Sequence, residues 1–143
     1  MTGQAMAMRG VELRDMHPRG YLTFDLKEIL QCLRDDVFAR TWRCAYLECT
    51  GAATRELEAI QTGQVEVSGA RLLALAMRTS QVIGGDFLGR RPDEPKPSLV
   101  LRAIDSTLWE VFADDDCLRK LSHSFEDVRP TDASADPTSF EGP

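Results

Sequence analysis

The sequence predicts an α+β fold. The expected sheet is mainly antiparallel, has about four strands including a C-terminal meander, and is covered on one face by helices. Three observations carry this. Leu26, Ile29, Leu30, Leu33 and Val37 recur at helical spacing between charged residues. "SLVLRAI" and "TLWEVF" are short apolar strands joined by Asp105-Ser106, whose side chains suit a tight turn. The order, a helix, a strand, two helices, a three-stranded meander and a helix, segregates the helices to one side of a mainly antiparallel sheet.

Taken in order, residues 1–20 read as a loosely ordered start. They mix Gly, Pro, Arg and Met without period, and "HPRGY" (17–21) is punctuated as a turn. A single α+β domain is expected over 21–129. Tyr21, Leu22 and Phe24 dock its beginning, and Asp25 is placed to cap a helix near 26–38. "TWRCAYLEC" (41–49) reads as a strand, with Trp42, Cys44 and Tyr46 on one face. A short helix follows near 54–61, capped by Thr54 and stopped by Gly63. Ser68 caps a second strong helix near 69–79, whose wide apolar band predicts burial on more than one side.

The remaining strands fall near 81–89, 98–104 and 107–112. Gly84-Gly85 marks a hairpin turn, a bulge or a close backbone approach. Leu108, Glu110 and Phe112 alternate with Trp109 and Val111, the pattern of a sheet with one wetter face. In "ADDDCLRKLSH", Asp114 caps a helix, Asp115 and Asp116 occupy its first turn, and Arg119, Lys120 and His123 lie toward its other end. Cys117, Leu118 and Leu121 are then left to face inward. "DVR" can add a last edge strand. Residues 130–143 are polar, proline-dotted and acidic, and are expected to be disordered.

The chain has 143 residues, enough to bury roughly two-thirds of its extended surface without disulfides. Its net charge of −6 is partly terminal, because Asp132, Asp136 and Glu141 follow Pro130 with no basic residue. Without them 20 acidic side chains face 17 basic ones. That balance opposes a nucleic-acid binder, which needs a basic stripe, and no basic block suits a membrane surface. The first residues have no apolar core of a secretory signal, and no run approaches the ~18 residues of a membrane helix. A cytoplasmic protein with four reduced cysteines is expected.

No metal or cofactor is expected. Asp114 to Asp116 lack the alternation and central Gly of a calcium loop. Cys117 and His123 are six residues apart on a helix, so they face different ways, and Cys44 and Cys49 are five apart on a strand. Neither phosphate-loop motif occurs. Gly84, Gly85 and Gly89 with Arg90 and Arg91 leave an anion site conceivable, although a bulge or hairpin explains the glycines more cheaply.

Candidate ligand-binding or interaction residues are Trp42, Asp86, Arg102, Asp105, Trp109 and Glu110, the acids because neighbouring strands would bring them onto the open face. No catalytic constellation is present in the sequence. Two functions follow as expectations. One is a non-catalytic binding or protein-interaction module of the inhibitor, immunity or adaptor kind, with another protein as partner. The other is a small enzyme or ligand-binding domain that uses the acids of the open face.

Overall fold

The computed structural model describes residues 8–133 and 135. Its elements are β1 (Arg9–Leu13), α1 (Leu26–Cys32), α2 (Arg34–Phe38), β2 (Thr41–Gly51), α3 (Thr54–Thr62), β3 (Val67–Ser68), α4 (Gly69–Met77), β4 (Thr79–Arg90), β5 (Leu99–Ile104), β6 (Leu108–Ala113), α5 (Asp115–Ser124) and β7 (Val128–Pro130). The architecture is α+β, as the sequence predicts, but the sheet has seven strands rather than about four. Their order is β3-β2-β4-β5-β6-β1-β7 and every pairing is antiparallel.

The three additional strands lie where the sequence signal is weakest. β1 corrects the expectation of a loose start. Only Val11 and Leu13 alternate inward, too short a pattern to register as periodic, yet they pair with Val111 and Trp109 of β6 and are buried. β3 has two residues, below the length at which alternation can be recognised, whereas β7 is the last edge strand expected at "DVR". The expected disorder of 130–143 falls largely outside the described residues.

One face of the sheet carries Val11, Leu13, Trp42, Cys44, Phe87, Leu99, Leu101, Trp109 and Val111, which join the helices in the main core. The helical stripe meets this face as expected, with Leu26, Ile29, Leu30, Leu33 and Val37 almost fully buried. The expected single helix is divided at Leu33, whose φ of −104° and ψ of 29° leave helical geometry. Asp25 caps α1 in a capping box. Its carboxylate accepts from Leu26 N, and Glu28 Oε1 accepts from Asp25 N at 2.7 Å. Ser68 caps α4 through Arg71 N.

Thr54 is the first residue of α3, not its cap; Ala53 takes the cap position and no side chain closes that end. Gly69 opens α4 against the Val37 carbonyl, and a Cβ there would collide with that carbonyl. Close approach of α4 to the end of α2 therefore requires a glycine. Asp114 caps α5, accepting from Cys117 N at 2.9 Å, with Asp115 and Asp116 in the first turn. Cys117, Leu118 and Leu121 are buried. The aspartate run is thus explained by helix initiation, a contribution of about 1 kcal/mol for such a cap.

Candidate functional site

The second face of the sheet is organised by register. Asp86 of β4 stands opposite Arg102 of β5, Arg102 opposite Glu110 of β6, and Glu110 opposite Glu12 of β1. The row carries charge of alternating sign across its first three strands. Arg102 Nε donates to Asp86 Oδ1 at 2.9 Å and Nη1 to Glu110 Oε1 at 3.2 Å. The Asp86 and Glu110 side chains are each 8% exposed and that of Arg102 18%. One guanidinium thus serves two carboxylates on the strands to either side of it. Its centre also lies 5.4 Å from the Phe112 ring.

The expected wetter face is largely dry here. Leu88, Val100 and Phe112 form a second buried apolar cluster beside the charges, with Met8 and Ala135 packed against it. Burial raises the Asp86 pKa, and the Glu110 charge adds to this; hydrogen bonding and charge from Arg102 act against it. A carboxyl in such a setting loses water but keeps its cation.

The other candidates are elsewhere. Trp42 and Trp109 are on the opposite face, 0% and 1% exposed, and cannot stack an external ligand. Trp42 Nε1 donates to Val37 O at 3.0 Å, and Trp109 stacks on Phe87. Asp105 is exposed in the β5–β6 turn. Asp105 and Ser106 have φ of 48° and 61°, and Thr107 N closes the turn on Ile104 O at 2.8 Å. Asp86, Arg102 and Glu110 are therefore brought together, whereas Asp105 lines a separate groove of about 640 Å³ beside Tyr21, Asp25 and Gln81. Within that groove Asp25 is committed to structure, since it accepts from both Leu26 N and Val82 N.

Two further features escape sequence reasoning. The first is a bulge in β2. Register slips between Ala45 and Glu48, opposite Gly85, whose φ is +134°. Tyr46 adopts φ of 58°, a conformation that bulky side chains rarely take, and stands 53% exposed instead of sharing the inward face of Trp42 and Cys44. Gly84-Gly85 was the available signal, although it sits on the partner strand.

The second feature is Arg40, between α2 and β2, which is only 3% exposed. It lines a cavity of about 460 Å³ with Arg91, Lys96, Glu94 and Asp114. No local pattern distinguishes a buried arginine at a helix–strand junction from a solvated one. Of the pair singled out near the glycines, Arg90 is spent on Glu66 and on the carbonyls of Arg91 and Glu94.

The four cysteines are free thiols. Burial pushes Cys44 and Cys117 up to about 12, with Asp36 and Asp114 adding to the effect at Cys117, so neither is a nucleophile near neutral pH. Among the described residues no group of three His, Cys, Asp or Glu side chains is placed to hold a metal ion. No described helix is long and apolar enough to cross a membrane. No family model matches the sequence, and no match is found among curated proteins or solved structures.

Proposed function

We propose that the chain is a non-catalytic binding or protein-interaction module, of the inhibitor, immunity or adaptor kind, working in the cytoplasm. The observation that carries this reading is the sharing of Arg102 by Asp86 and Glu110. A general acid or base must reach substrate and change protonation during turnover. Here Asp86 and Glu110 are directed at a cation of the same sheet and are nearly buried. The chain also offers an exposed aromatic, Tyr46, at the bulge of β2. Tyrosine is a frequent anchor at protein interfaces because it supplies large apolar area and a polar tip at low entropic cost.

A tagged chain mixed with lysate of its native organism tests the reading. Retention of one protein in stoichiometric amount, lost on Tyr46→Ala with the melting temperature held, is the expected result. Turnover of a small molecule, abolished by Asp86→Asn without loss of stability, would overturn it and favour the enzymatic alternative. The raised pKa of Asp86 is what that alternative has in its favour.

A further inference from the structure

Arg40 is the most buried arginine of the chain, yet among the described residues it forms no ion pair with a carboxylate. Its two hydrogen bonds go to neutral oxygens: Nε to Ser98 Oγ at 3.0 Å and Nη1 to Asp36 O at 2.7 Å. Nη2 has no hydrogen-bond partner among those residues. Burial, and then the like charge of Arg91, press its pKa below the ordinary arginine value; smaller influences of Cys117, Asp36 and Glu94 work against this. Removing a cation from water without a counter-ion is expensive, and folds ordinarily avoid it. Arg102, less buried, has two carboxylates.

Two more cations line the same cavity, Arg91 and Lys96, and neither side chain makes an ion pair among the described residues. The two acids in the wall are already engaged. Glu94 Oε1 accepts from Ser98 Oγ at 2.8 Å, and Asp114 caps α5. Three cations against two acids leave the site net positive. Met8, Pro95 and Pro97 supply an apolar rim.

We propose that this cavity binds a phosphate-type dianion carried on a small apolar body, with Arg40, Arg91 and Lys96 as its cationic wall. A carboxylate is planar and is satisfied by one guanidinium fork. Cations on three separate residues match an anion that presents oxygens in several directions. Arg40 supplies the desolvated contact and is held in place by Ser98 and Asp36. Arg91 and Lys96, half-buried and exposed, supply attraction and access. The Pro95-to-Pro97 segment gives the organic body a surface to rest on. The site uses none of Asp86, Arg102 and Glu110.

Calorimetric titration at low ionic strength, where screening is weakest, tests this with phenyl phosphate, inorganic phosphate and benzoate. Phenyl phosphate is expected to bind more tightly than inorganic phosphate, and benzoate more weakly than either. The double variant Arg91→Gln/Lys96→Gln, which touches no described hydrogen bond of those side chains, should keep its melting temperature and lose about tenfold or more in affinity. Arg40→Met should abolish the rise in melting temperature that phosphate gives the wild type. The proposal is overturned by absence of heat and of any thermal shift, by unchanged affinity in the double variant, or by benzoate binding as tightly as phenyl phosphate.

Discussion

Arg102 and Arg40 are both withdrawn from water, but the fold treats them differently. Arg102 lies between Asp86 and Glu110 on neighbouring strands, and its charge is answered within the sheet. Arg40 is more deeply buried and meets only a hydroxyl and a carbonyl. The first arrangement is self-contained, so its removal should harm the fold. The second is incomplete in its charge, so its removal should harm the fold less and binding more. Burial of a charge alone therefore does not identify a functional group; whether the protein itself supplies the counter-charge does.

The largest effect is expected from Arg102→Met. It leaves two buried carboxylates facing each other without a cation, a loss of about 3–5 kcal/mol in urea unfolding. A cost under about 1 kcal/mol would mean that the cluster is not structural and would break the contrast. Gly69→Ala comes next. Its added methyl meets the Val37 carbonyl, and about 1–3 kcal/mol should be lost to overpacking, read by the same unfolding curve. Arg40→Met should cost about 1–2 kcal/mol, since two hydrogen bonds disappear but an unanswered charge disappears with them. If it costs as much as Arg102→Met, the two arginines are equivalent and the contrast fails.

Smaller again is a pH effect at Asp86. Burial raises its pKa in the folded chain above the ordinary carboxylate value. The folded state therefore holds this proton more tightly than the unfolded state. The stability that the group contributes is present at low pH and declines as pH rises through the raised value. Wild-type stability relative to Asp86→Asn should accordingly fall as pH rises above the ordinary carboxylate range, followed by urea midpoints at increasing pH. A difference that grows with pH would mean that Arg102 outweighs burial.

Much of the fold was legible because long elements carry period. The stripe from Leu26 to Val37, the cap at Asp114, the turn at Asp105-Ser106 and the alternation of β5 and β6 each express one local physical preference. The edge strand β7 was anticipated from "DVR", but β1 and β3 were not legible, because two to five residues cannot establish a period and their pairing is decided by the strands beside them. Tyr46 is exposed rather than buried like Trp42 and Cys44 for a related reason. Alternation assumes an unbroken strand, and the slip opposite Gly85 is visible only in the pairing. At the candidate site, Asp86, Arg102 and Glu110 could be proposed together because meander strands place such positions side by side. Asp105 was separated from them by the turn that it forms. Trp42 and Trp109 are core residues, since a large ring on the helix-facing side of the sheet has no other place to go. Arg40 could not be foreseen, because its burial depends on Ser98 and the proline segment, more than fifty positions away along the chain.

The most direct measurement compares the unfolding free energy of Arg102→Met with that of the triple variant Asp86→Leu/Arg102→Met/Glu110→Leu. An internally neutralised cluster predicts that the triple variant recovers most of the stability lost by the single one, because no buried charge remains unanswered. A triple variant at least as unstable as Arg102→Met would contradict the account.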